Sequence, residues 1–260
     1  MGLVFPAPLS ATPPHGRTAA HVGLPDMTLV LLVRHGRTTA NATGILAGWT
    51  PGVALDERGE GQAADLAKRL AGVPLAAVVS SPLDRCRQTT DALLSGRDPV
   101  PVHVDERVGE CRYGDWTGRP LGELAAEPMW KTVQQHPSAA VFPGPEGESM
   151  AAMSARAVAA VRDWTARIAE EHGPDAVFAI CTHGDVIKAI AADALGLHLD
   201  LFQRITADPC SVTAIRYTDL RPFIVRLNDV GGDPAPYVPS RTPTADSDAA
   251  VGGGAGADNR

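Results

Sequence analysis

Residues 31–41, LLVRHGRTTAN, close an apolar run on an arginine, a histidine and a glycine. The run starts at Met27 (MTLVLLVR), and its shortness and β-branched side chains mark a strand buried on both faces. Its end sets His35 between Arg34 and Arg37, with Asn41 in the stretch that follows. Ligands of open α/β sheets sit outside the carboxyl ends of the strands. What this tip does therefore depends on the other tips the chain brings beside it.

Downstream of the tip, helical and strand patterns alternate. LDERGEGQAADLAKRLAG carries apolar positions at helical spacing, and PLAAVVSS is a second buried strand. PLDRCRQTTDALLSG reads as a helix opening at Pro82 and closing on Gly96, and VPVHVD alternates as a short strand does. The irregular stretch from Glu106 to Gly147 is too long for a plain connector and reads as an insertion covering a site. The longest helix starts at Ser149, with Met150, Met153, Ala157, Val161, Trp164 and Ile168 as its core stripe. DAVFAICTH is a third buried strand, followed by a helix through Gly196, and SVTAIRYT with PFIVRLND forms a closing hairpin. This pattern predicts an α/β domain over residues 27–230, with a mostly parallel central sheet, helices on both faces and one antiparallel piece.

Composition narrows the function. A formal net charge of −7 argues against nucleic-acid and anionic-membrane partners, which require a basic footprint. No window is apolar enough to span a bilayer. The proline-rich residues 1–26 lack the pattern of a signal peptide, and Met27 is an alternative start. Residues 231–260 hold few large apolar side chains, so both ends are expected to be disordered. The four cysteines form no C-x-x-C pair and read as free thiols of a cytoplasmic protein.

Three strand ends look alike: Arg34-His35-Gly36, Ser80-Ser81-Pro82-Leu83-Asp84-Arg85 and Thr182-His183-Gly184. In a parallel sheet they can meet at one edge, placing two histidines and two arginines in one pocket. Arginines offer fork-shaped donors suited to phosphate or carboxylate oxygens. A histidine between them tends to stay neutral and can attack phosphorus. The guanidiniums supply the positive charge that a metal would otherwise provide.

LVRHGRTTAN, SSPLDRCRQT, the spacing in ECRYGDWTG and the late THGD resemble the histidine phosphatase superfamily, with its phosphoglycerate-mutase-like fold. The resemblance implies that His35 is the nucleophile and that Arg34, Arg85 and His183 share the phosphate with it. It further implies that Glu110 protonates the leaving oxygen and that Asn41 approaches the phosphate. It calls for no cofactor and no metal, and for a phosphorylated small molecule as partner; a homodimer stays open. The chain departs from the common pattern at Arg37, where the family has glutamate, and an extra cation at the substrate rim favours an anionic substrate.

Alternatives remain at this point. Glu106 and Asp115 compete with Glu110 for the acid role. Cys210 and Arg216 have the C-x-x-x-x-x-R spacing of cysteine phosphatases, but CSVTAIR lacks the glycine-rich loop that chemistry needs. A metal hydrolase is poorly supported, since no H-E-x-x-H or carboxylate cluster occurs. The expected activity is a phosphomonoesterase. A phosphomutase (an isomerase) is the first alternative, and a non-catalytic phospho-ligand-binding protein is the alternative of another class.

Overall fold

The computed structural model describes residues 28–232 together with Gly252 and Gly254. The expectations for residues 1–26, and for 231–260 apart from Gly231, Gly232, Gly252 and Gly254, lie outside the described residues. The chain opens with β1 (Thr28–Arg34), the short α1 (Thr39–Ala42) and α2 (Glu57–Leu70). It continues through β2 (Leu75–Ser80), α3 (Asp84–Leu94) and β3 (Val102–Val104). Within the irregular insertion lie two short helices, α4 (Leu121–Leu124) and α5 (Pro128–Gln135), among single 3₁₀ turns. The long α6 (Met150–His172), β4 (Val177–Thr182), α7 (Gly184–Leu195), β5 (Val212–Tyr217) and β6 (Pro222–Asp229) complete the fold.

The strands form one sheet in the order β3-β2-β4-β1-β5-β6. The first four pair in parallel, and β5 pairs antiparallel with both β1 and β6, as the closing hairpin predicts. Alternate residues of a strand point to opposite faces, and here both faces are covered. Val30, Leu32, Val79, Phe178 and Ile180 pack with the core residues of α6 and α7. Leu31, Val33, Val78, Ala179 and Cys181 pack against those of α2 and α3. This double coverage explains the near-continuous apolar runs. Truncating a fully buried residue such as Leu66 on α2 to alanine would cost about 2–5 kcal/mol.

Local chemistry fixes the element ends. Asp56 caps α2 by accepting the Gly59 N–H at 2.8 Å, and Ser149 caps α6 by accepting the Ala152 N–H at 3.0 Å. All six residues of the predicted α6 stripe are buried. α3 starts later than expected: Pro82 lies ahead of it and the extended Leu83 is its cap. Two glycines allow α2 to reach the loop that follows β1. A Cβ on Gly36 would lie 2.6 Å from the Gly59 carbonyl oxygen, and one on Gly59 would lie 2.0 Å from that of Arg37.

The sheet brings the three polar tips to one edge. Arg34 is in register with Thr182, and Ser80 with Cys181. Beyond the strands the ladder continues: the His35 N–H donates to the Thr182 carbonyl at 3.0 Å, and the Ser81 N–H to the Cys181 carbonyl at 3.0 Å. The Arg34 N–H donates to the Ser211 carbonyl, just before β5, at 3.2 Å. The 106–147 insertion packs over this edge. Its Tyr113, Trp116, Trp130 and Phe142 belong to the α6-side core, and Phe142 meets Tyr113 and Trp116 edge-on at 4.9 and 5.4 Å between ring centres.

Candidate active site

His35 leaves β1 almost fully buried, and its two ring nitrogens face different partners. Nδ1 lies 2.7 Å from the Gly36 carbonyl oxygen, which can only accept, so Nδ1 carries the proton. Nε2 accepts from Nε of Arg85 at 3.3 Å, so it carries the lone pair, directed at an arginine of the pocket wall. Burial, then Arg85, then Arg34 hold the His35 pKa well below the ordinary value, so the ring is neutral near pH 7. A neutral imidazole with this tautomer is a competent nucleophile at Nε2.

Arg85, in the first turn of α3, joins the two histidines. Its Nη2 donates to the Gly48 carbonyl at 2.9 Å and reaches Nδ1 of His183 at 3.3 Å. Its Nη1 is buried without a partner among the described residues. A buried guanidinium nitrogen without an acceptor is costly, and an anion in the pocket would satisfy it. The ring of His183, at the end of β4, lies 5.2 Å from that of His35 and turns its Nε2 to Ser81 Oγ at 2.8 Å. Burial foremost, with Arg85 next, keeps His183 well below the usual histidine pKa. Arg34 is fully buried and donates through Nη1 to the Ala207 carbonyl at 2.8 Å.

The three acid candidates separate clearly. Glu110 is buried and lines the same pocket as His35 and Arg85, with one oxygen accepting the Cys111 N–H at 2.9 Å and the other 3.7 Å from His183 Nδ1. Its backbone carbonyl is clamped by Trp49 Nε1 at 2.6 Å and Arg156 at 2.8 Å. Burial, reinforced by the Asp185 carboxylate, raises the Glu110 pKa to about 7, where a carboxyl group can both donate and recover a proton. The Glu106 side chain is 74% exposed and paired with Arg112, and Asp115 is exposed beside Gly144. Neither lines the pocket.

The remaining sequence candidates fall out differently. Asn41 lines the pocket, but its Oδ1 accepts from the Thr38 N–H and hydroxyl at 3.1 and 3.0 Å, closing a capping box on α1. Arg37, expected at the substrate rim, does not line the pocket: its Nε donates to Asp56 at 2.9 Å, so the α2 cap neutralises it. Cys210 precedes β5 while Arg216 sits within it, and burial pushes the Cys210 thiol up to about 12. No phosphate loop links the two. Among the described residues no group of three or more metal-ligating side chains occurs, and no helix is long and apolar enough to cross a membrane.

Two features escaped the sequence reading. Asp185 is buried beside the pocket, accepting from the Tyr113 hydroxyl at 3.1 Å and from Lys188 at 3.2 Å. In the sequence it looks like an ordinary acid in the first turn of a helix. Gly252 and Gly254, from a tail read as mobile, also line the pocket.

The sequence profile of the histidine phosphatase superfamily (branch 1) matches residues 30–230. An adenosylcobalamin/alpha-ribazole phosphatase of Escherichia coli is 30% identical over 190 residues, covering 71% of this chain and 87% of the relative. A 2,3-bisphosphoglycerate-dependent phosphoglycerate mutase of Gloeobacter violaceus is 28% identical over 193 residues, covering 74% of this chain and 86% of the relative. Among solved structures, Bacillus stearothermophilus YhfR matches with a TM-score of 0.70 at 29% identity, over 78% of this chain and 98% of its own. The paired histidines and arginines at one sheet edge, the matched profile and these relatives together establish that the chain belongs to the histidine phosphatase superfamily, branch 1.

Proposed function

We propose that the protein is a phosphomonoesterase that hydrolyses a phosphorylated small molecule through a phosphohistidine on His35. The observation carrying this reading is the His35 tautomer: Nδ1–H is spent on the Gly36 carbonyl and Nε2 faces the arginine-lined pocket. In the proposed first step Arg34, Arg85 and His183 hold the phosphoryl oxygens while Nε2 attacks phosphorus. The P–O bond to the leaving group breaks, and Glu110 gives its proton to that oxygen. In the second step the Glu110 carboxylate takes a proton from water, the hydroxide attacks phosphorus, and the P–N bond breaks to release phosphate and neutral His35. The arginines stabilise charge on the equatorial oxygens throughout. Asn41 offers its amide nitrogen to the ligand, since its oxygen is engaged by Thr38.

The phosphomutase reading draws on the phosphoglycerate mutase relative and on the aromatic-packed insertion beside Glu110. In that case a second hydroxyl group, rather than water, takes the phosphoryl group from His35. Four buried free thiols fit a reducing compartment, and the proposed location is the cytoplasm. A screen of phosphorylated metabolites with chelator present tests the proposal. Release of inorganic phosphate supports the phosphatase, and transfer without release supports the mutase. Phosphate-ester binding with neither outcome would leave a binding protein.

A further inference from the structure

Gly252 and Gly254 follow the end of β6 by more than twenty residues, yet they sit on two charged side chains at the pocket. The Gly254 carbonyl oxygen accepts from Nη2 of Arg34, and the Gly252 N–H donates to Oδ2 of Asp185 at 2.9 Å. With these glycines in place, the pocket is walled by His35, Arg85, Glu110 and Tyr113, while Arg34 and Asp185 lie behind the tail. Both glycines have left-handed backbones, with φ of 71° and 58°. A Cβ on Gly252 would stand 3.2 Å from Leu46 Cδ1 and 3.6 Å from the Tyr113 hydroxyl. A side chain there would be strained in conformation and crowded against the pocket wall.

We infer that these C-terminal glycines are an intramolecular ligand of the phosphate pocket and compete with the phosphoryl group for Arg34. The inference takes its substrate from the phosphatase reading, but competition with free phosphate does not depend on turnover. The peptide carbonyl occupies a guanidinium nitrogen that phosphate would use, and it supplies only a partial negative charge. Nη1 of Arg85 stays without a partner while the tail is docked. A phosphate dianion reaches both arginines, so it displaces the tail at sufficient concentration. The tail therefore sets the concentration at which the enzyme responds and leaves its maximal rate alone. The apparent dissociation constant is the intrinsic one divided by the fraction of molecules with the tail undocked.

The test compares the full chain with the full-chain double variant Gly252→Val, Gly254→Val and with a chain ending at Val251. Calorimetric titration with inorganic phosphate and steady-state kinetics on 4-nitrophenyl phosphate are the two readouts. In both altered chains the phosphate Kd and the KM should fall together by about threefold to tenfold, with kcat unchanged. A peptide of sequence GGGAGADNR should inhibit the shortened chain competitively with phosphate. Equal phosphate Kd and KM in all three proteins would overturn the inference. So would a wild-type KM that rises with enzyme concentration, since that would place the tail of one molecule in another. Tighter phosphate binding by the altered chains, with no ester hydrolysed by any of them, would uphold the tail and sink the phosphatase. Turnover with unchanged phosphate affinity would do the reverse.

Discussion

The two ends of the pocket are built from different kinds of backbone. At the end proposed to hold phosphate, Arg34 and His35 lie at the tip of β1, Arg85 in the first turn of α3 and His183 just past β4, and none is more than 2% exposed. At the other end the wall is Ala40 from the short α1, Gly44, Ile45 and Ala47 from the partly exposed loop after it, Leu121 from α4 and the two tail glycines. The first group is held by the sheet and by both cores, while the second is held by short loop contacts. A scaffold that fixes the chemistry and leaves the leaving group to loops can change substrate without disturbing its mechanism.

If the phosphate end carries the chemistry, substitutions there should dominate. The largest effect is expected for His35→Ala, which should lower phosphate release on the order of 10⁴-fold or more while the far-UV spectrum is retained. A brief incubation of the wild type followed by an alkaline quench should leave acid-labile phosphate on the peptide containing His35. Retained activity in the alanine variant would break the comparison at its root. Next in size, Glu110→Gln should slow alkyl phosphate esters by roughly 10²-fold or more. Loss on nitrophenyl phosphate should be much smaller when phosphorylation of His35 limits the rate, because nitrophenolate leaves without a proton. Glu106→Gln and Asp115→Asn should show no such dependence on the leaving group.

The pH profile sharpens the same point. Glu110 has a raised pKa, so its acid form survives to about 7 and is lost above it. For an alkyl ester, kcat/KM should fall by about tenfold per pH unit on the alkaline side, and Glu110→Gln should abolish that limb. Stability follows the same sign. Between the ordinary 4.5 and about 7 the folded protein keeps a proton that the unfolded chain releases, so stability declines as pH rises through that window. A glutamine at this position removes that decline, and the variant should melt higher than the wild type at pH 8. Arg37→Ala belongs to neither end of the pocket. It should change kcat/KM by less than about twofold and stability by on the order of 1 kcal/mol, since the pair with Asp56 is partly buried. A chelator should have the smallest effect of all, because guanidiniums supply the positive charge; restoration of a lost activity by a divalent ion would favour a metal hydrolase.

Legibility in the sequence follows the same divide. Apolar runs ending in R-H-G, S-S-P-L-D-R and T-H-G could be read as strand tips because a doubly covered parallel strand has a distinctive composition. Parallel pairing then forces the tips together. Where the insertion lies was legible, but its internal path was not, since its 3₁₀ turns and aromatic contacts depend on neighbours far along the chain. The pairing of Arg37 was not legible for a related reason. Its partner Asp56 is 19 residues away, and only the approach of α2 on Gly36 and Gly59 brings the two together. The tail carries little apolar signal. Its described contacts are made by backbone atoms, which are the same in every sequence.

The amide of His35 itself belongs to the sheet: the His35 N–H is bound to the Thr182 carbonyl and the Arg34 N–H to that of Ser211. Deuterium can replace those protons only when β1 parts from its neighbours, and both faces of β1 are buried in core. Exchange at these two amides should therefore proceed through the rarest openings of the molecule, those that unfold it globally. On heating, catalysis and tertiary structure should be lost in a single transition, so an activity curve doubles as a melting curve for the domain.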